Sequence, residues 1–194
     1  FINAETGRVG EANLNAPGSD PSYIRHSLAF ETYRLTGHPA CMAFNTVLRV
    51  NGAADRVGYY VEQVDDDFLD RNGLDEEGAL YKFIQRGSTA PVFSDASDGI
   101  EKKTRKSEPW TDLQAFVAGL NQADVNARRA WLWDNVNAPI LLNLLALSRI
   151  TLDADDVRKN FYLYRDTNGN REWSIFPWDK DWTFGVTGDG PPHV

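Results

Sequence analysis

At 194 residues with 42% hydrophobic content, the chain is large enough for one core-bearing domain or two closely packed lobes. Its 20 Lys and Arg stand against 28 Asp and Glu, and the net charge of -8 argues against nucleic acid and for a basic protein as the main partner. The one cysteine, Cys41, leaves no intrachain disulfide and no zinc-type Cys/His spacing, and the longest apolar stretch, 138–147, is far short of the roughly 20 residues a bilayer crossing needs. The chain opens on Phe1 without a signal-peptide pattern and closes in a Gly- and Pro-rich run, which reads as a piece of a longer protein.

Residues 1–22, rich in Gly, Asn, Ser and Pro, are expected to be an extended lead-in rather than core. From 23 to 36, Ile24, Leu28, Tyr33 and Leu35 recur at near-helical spacing before Gly37 and Pro39 supply a stop. Residues 43–50 alternate and are rich in strand formers, Asn51-Gly52 opens a turn, and 57–64 return as a second strand. After an acidic turn over 65–74, the segment 79–85 reads as a third strand of the same antiparallel sheet. Residues 88–107, with the charge run 101–106, read as a surface loop holding no core element. Ser107 or Thr111 is placed to cap a helix running to Asn121 with Leu113, Phe116, Val117 and Leu120 on one face. A further helix over 138–149 is apolar nearly all round, as in a buried helix, and 161–165 with 173–177 flank a turn to form a closing hairpin. The domain is thus expected over 23–194, mainly sheet over 23–106 and helices plus hairpin over 107–194.

The chemistry concentrates in residues 155–181. A kinase-type site holds its metals through a loop Asn and through an Asp at the end of a hairpin, while an Asp five residues before the Asn accepts the proton of the substrate hydroxyl. Asp155 and Asn160 have that spacing, Asn160 precedes one hairpin strand, and Asp179 follows the other, with Asp181 close enough to share its role. The competing plain reading has Asp153, Asp155 and Asp156 as turn caps, and spacing alone singles out Asp155 among the three.

The stretches GYYVEQVDDDFL at 58–69, ALYK at 79–82, KNFYLYRD at 159–166 and FPWDKDWTFG at 176–185 resemble, in order, the signature stretches of CotH (spore coat protein H) kinases. The resemblance runs from Tyr23 to Gly185. It implies an α+β, atypical protein-kinase-like fold, with an antiparallel sheet lobe packed against a helical lobe that is incomplete at the C-terminus. It also implies use of ATP and Mg2+ or Mn2+ to phosphorylate Ser or Thr hydroxyls of secreted or surface proteins, and hence an address outside the cell or on a spore surface. Carried onto this chain, Asp155 is the catalytic acid, Asn160, Asp179 and Asp181 hold metal, and Lys82 meets the nucleotide phosphates. Glu62 on the neighbouring strand and Glu108 are both available to pair with Lys82. The turn region 51–58 stands where a phosphate-covering loop would be, but also reads as a plain β-turn. Because the chain stops soon after Gly185, weak turnover is expected of these residues alone.

The alternative is a non-catalytic surface or adhesion module that binds a protein partner, with calcium at Asp166, Asn168 and Asn170. Arg171 and Pro177 stand where an EF-hand loop needs Gly and Glu, which weakens the calcium reading. His26, His38 and His193 lack ligand spacing, the tryptophans read as core or interface anchors, and Cys41 reads as a small buried hydrophobe.

Overall fold

Asn51 and Gly52 both take positive φ, 51° and 85°, the backbone that lets a two-residue turn match the twist of its strands. Around it β4 (Ala43–Val50) pairs antiparallel with β5 (Ala53–Val61), so the return strand starts directly after the turn and Gly58 lies inside it. The computed structural model describes residues 2–3, 7–8, 11–16, 18, 20–84, 99–155 and 159–186. At the N-terminus β1 (Ile2–Asn3) and β2 (Gly7–Arg8) form a small ladder, and β3 (Asn13–Asn15) adds to the free edge of β5. Part of the supposed lead-in is therefore sheet, and Gly58 allows the close approach, since a Cβ there would sit 3.1 Å from the Asn15 carbonyl oxygen.

The helix α1 (Arg25–Leu35) buries His26, Ala29, Phe30 and Tyr33, while Ile24, Leu28 and Leu35 from the expected apolar face are exposed. The region read as an acidic turn holds a short helix, α2 (Asp66–Arg71), capped by the Asp65 carboxylate, which accepts from Phe68 N at 3.2 Å.

The main correction concerns β6 (Ala79–Phe83), which does not join the β4–β5 hairpin but sits inside a separate four-stranded antiparallel sheet of order β7-β6-β8-β9. Its partners are β7 (Ile100–Lys102), inside the span read as coreless loop, and the hairpin of β8 (Phe161–Arg165) and β9 (Trp173–Pro177). Residues 85–98 lie outside the described residues. Alternation along the strands explains why β6 is central. Leu80, Tyr162, Tyr164 and Phe176 face a core shared with Phe30, Tyr33, Tyr59 and Phe68. Ala79, Tyr81, Phe83, Leu163 and Trp173 face a second core with Ile100 and Leu113.

The second core is covered by α3 (Thr111–Leu120), whose N-cap residue Trp110 makes no side-chain cap bond, and by α4 (Val125–Asn135), a helix that the sequence reading did not expect. The last helix, α5 (Ala138–Ile150), is capped by Asn137, which accepts from Ile140 N at 3.1 Å. It is not buried all round: Leu147 and Ser148 are its buried residues, and Leu142, Leu145 and Ile150 are 52–67% exposed. The architecture is α+β, and among the described residues no helix is long and apolar enough to cross a membrane.

His38 ties the end of α1 to β9: its Nε2–H donates to the Ile175 carbonyl at 3.1 Å, and Nδ1 is buried without a partner. Burial pushes its pKa from 6.5 to about 4, against the pull of that hydrogen bond. Between those values the unfolded chain binds more protons at this site. The neutral ring's contribution is therefore intact above pH 6.5 and is lost as pH falls toward 4, a change of about 3 kcal/mol. Asp65, lifted by burial to about 6, acts in the opposite sense over part of this window, so the effect is read by difference. In urea unfolding, His38→Gln should be less stable than wild type near about pH 7.5 and lose most of that deficit near about pH 4; a deficit that ignores pH contradicts the assignment.

Candidate active site

The C-terminal ends of β6 and β9 and the start of β8 lie side by side, and Asn160 joins them through its main chain. Its N–H donates to the Phe83 carbonyl at 3.0 Å, and its own carbonyl accepts from Trp178 N at 2.9 Å. The residue is 4% exposed and has φ 64°, a left-handed conformation that Asn tolerates better than most side chains. Its side-chain Nδ2 donates to Asp155 Oδ2 at 2.8 Å and to the Asp155 carbonyl at 3.3 Å, so the five-residue spacing is realised as a closed loop. Lys159 completes the loop with an ion pair to Asp155 Oδ2 at 2.6 Å.

The neighbouring acids are in different situations. Asp153 is buried and ion-paired to Lys180 Nζ at 2.7 Å, and both side chains are at most 2% exposed, so this aspartate anchors the loop to the segment after β9. Its Oδ1 also accepts from Asp155 N at 3.1 Å. Asp156 lies outside the described residues. Asp179, at φ 51°, has its pKa raised by burial first and then by the charge of Asp181, while Lys159 and Lys180 pull it down. Asp179 and Asp181 share a cavity of about 290 Å3 with Leu14, Asn15, Ala16, His26 and Tyr59. Part of the cavity lining thus comes from the N-terminal stretch. His26 is 2% exposed and its Nε2 has no partner; burial lowers its pKa to about 4. Tyr59 is steadied by its hydroxyl, which donates to the fully buried Asp20 at 2.8 Å.

Lys82 stands opposite Tyr162 in the β6–β8 ladder, with its Nζ 4.5 Å from the centre of the Trp178 ring and 5.7 Å from that of Tyr162. Burial lowers its pKa first and Lys103 lowers it further, while Glu101 and Asp179 act to raise it. The lysine, Asn160 and Asp179 therefore belong to one end of one sheet. Glu62 does not join them. It is 3% exposed and taken by Arg71, whose Nε donates to Oε1 at 2.8 Å and Nη2 to Oε2 at 2.5 Å, and by Met42 N at 2.9 Å. Glu108 is bonded to Arg105 at 2.7 Å. Residues 51–58 form a tight turn and strand rather than a loop. The Asp166 carboxylate accepts from Gly169 N and Asn170 N at 3.0 and 2.9 Å, closing its own turn. His193 lies outside the described residues, and Cys41 is fully buried.

The sequence reading missed Lys180 as the partner of an acid and Trp178 as the surface under Lys82. The tryptophan and lysine were visible in the run around Asp179, but nothing local says what they touch. Among the described residues no three His, Cys, Asp or Glu side chains gather as a metal-holding group. The oxygen donors at this end include Asp179, Asp181 and the Asn160 amide.

The family described as CotH kinase protein matches residues 4–191, and the chain belongs to it. The inner spore coat protein H of Bacillus subtilis (strain 168) is 26% identical over 183 residues, which is 90% of this chain and 50% of that protein. The chain spans about half the length of the curated relative it matches.

Breaking the Asp153–Lys180 pair from one side strands a buried charge. Lys180→Met is expected to cost about 3–5 kcal/mol in urea unfolding, and adding Asp153→Asn, which keeps an acceptor for Asp155 N, should recover part of that loss. Equal stability of wild type and Lys180→Met would contradict the buried placement.

Proposed function

We propose that this member of the CotH kinase protein family is a kinase-like phosphotransferase that uses ATP and a divalent cation, Mg2+ or Mn2+, to phosphorylate Ser or Thr hydroxyls of a protein. The observation that carries the reading is the Asn160 junction. It sets an aspartate–asparagine loop, a strand lysine and a hairpin-end aspartate at one end of one sheet. That combination is the set a phosphoryl-transfer site needs: a proton acceptor for the hydroxyl, oxygen donors for a cation, and an ammonium for the phosphates.

The donor chemistry fits a hard divalent cation, which takes few protein oxygens and completes its shell with water and phosphate. Asp179 suits this role because a buried carboxylate beside Asp181 gains from a nearby positive charge. Asp179 and Asp181 with the Asn160 amide would hold the ion, which supplies charge neutralisation between phosphate oxygens. Asp155, oriented by the Asn160 amide and Lys159, would take the proton of the incoming hydroxyl. Lys82 would bind phosphate oxygens as a point charge, leaving the Trp178 ring to do so.

The net charge of -8 favours a basic protein substrate. The Bacillus subtilis relative is an inner spore coat protein, and a spore-surface or secreted setting is proposed on that likeness.

The test is transfer from radiolabelled ATP to basic, Ser-rich peptides with Mg2+ or Mn2+, using the full-length protein. Asp155→Ala and Asp179→Ala should each lower the rate by roughly 100-fold or more while circular dichroism stays unchanged. Transfer that persists undiminished in both variants rejects these assignments. A protein that binds its partner but no nucleotide supports instead the non-catalytic surface-module reading.

A further inference from the structure

Three helices carry apolar side chains on the side turned away from the core. At the N-cap of α1 and along it, Ile24, Leu28, Glu31 and Leu35 follow at alternating intervals of four and three, which puts them within about 60° of one another around the helix axis. The buried Ala29, Phe30 and Tyr33 lie on the opposite side, while Leu28 and Leu35 are 47% and 78% exposed. The outward stripe of α1 is therefore a ridge. On α4 and its C-cap, Arg129, Leu132, Trp133 and Val136 recur at helical spacing, and with Leu141 and Leu142 of α5 they line a groove of about 310 Å3. Trp133 and Leu142 are exposed there.

Ridge and groove carry opposite charges. Glu31 is the charged member of the ridge and Arg129 that of the groove lining. Among the described residues no ion pair holds Arg129. Together α4 and α5 hold three arginines against one aspartate, a local reversal of sign in a chain of net charge -8. Glu31 meets Arg34 at 2.9 Å in an exposed contact, a kind of pair that adds little and exchanges readily. Ridge and groove also adjoin, since Asn143 Nδ2 on α5 donates to Thr36 Oγ1 at the end of α1 at 3.1 Å. One molecule thus displays both halves of a complementary surface side by side, which is what a two-fold contact between identical chains requires.

We propose that this protein pairs with a second copy of itself, the outward stripe of α1 seated in the α4–α5 groove of the other copy and Glu31 meeting the partner's Arg129, reciprocally about a two-fold axis. The pairing covers exposed leucines and a tryptophan, and it places an aromatic and an arginine at the centre of the contact, the side chains that most often dominate such interfaces. A basic acceptor protein is a poor occupant of this groove because Arg129 repels it. The inference is independent of the phosphotransfer reading, since none of these residues belongs to the sheet end that carries Lys82, Asn160 and Asp179.

Sedimentation velocity of the full-length protein over a concentration series, without nucleotide, tests this. A monomer–dimer equilibrium is expected. A monomer at every concentration overturns the proposal, and a series that grows past the dimer overturns the two-fold seating. Leu142→Glu should raise the dissociation constant roughly tenfold or more. Glu31→Arg and Arg129→Glu should each weaken pairing by roughly threefold to tenfold, and the two together should recover most of that loss. Losses that add overturn the charge pairing. A second measurement uses chains with Leu28→Cys mixed with chains with Trp133→Cys and a short bismaleimide. Both positions are exposed and Cys41 is fully buried, so the native thiol does not compete. Cross-links between the two kinds of chain should exceed those between like chains; an equal or lower yield overturns the ridge-in-groove contact.

Discussion

The main chain of Asn160 is the constraint on which the candidate site depends. One residue uses its N–H on the end of β6 and its carbonyl on the segment leaving β9, so three strand ends are held in one register by two hydrogen bonds. Its left-handed backbone then turns the chain back toward Asp155, where the side-chain amide closes the loop. The geometry favours Asn because it accepts this φ and donates from a short side chain. If the register of β6 against β8 slipped by one residue, Lys82 would face the second core and the loop would lose its anchor on Phe83.

Around that junction the protein spends buried charge rather than buried hydrocarbon. Asp153 and Lys180 are both nearly inaccessible, and Asp20 collects hydrogen bonds from Ser22, Arg25 and Tyr59. Such pairs add little net stability compared with well-packed apolar residues, but each fixes a direction. Lys180 joins the Asp179 segment to the loop carrying Asp155, and Tyr59, held by Asp20, lines the cavity against Asp179 and Asp181. The N-terminal stretch thereby becomes a wall of the site rather than a lead-in.

What could be read from the chain was whatever local sequence decides. β4, β8 and β9 are bounded by turn residues and carry strand formers, and their ends match the reading; the helices α1, α3 and α5 are close to it. The Asp155–Asn160 spacing was legible for the same reason, but not that the Asn160 amide bonds the Asp155 carboxylate. The partners of β6 were not legible, because strand pairing is decided by which faces meet across the whole molecule. β7 was hidden because Ile100, its one apolar residue, leads straight into a charge run, and α4 has no fully buried residue to produce a periodic stripe. That Glu62 is held by Arg71 was not legible either, because nothing local shows that 66–71 form a short helix that brings the arginine to it.

The charges at the sheet end are unevenly paired. Lys159 is held by Asp155 and Lys180 by Asp153, yet Lys82 rests on aromatic rings and Asp179 is driven toward protonation by burial and by Asp181. A simple anion would answer Lys82 and worsen the position of Asp179; a simple cation would do the reverse. A phosphate group carrying its own divalent cation brings both signs, separated by one coordination distance, and relieves both groups together. On the proposed phosphotransferase reading, this complementarity, more than the presence of any one acid, favours a metal-bound nucleotide over a free ion of either sign.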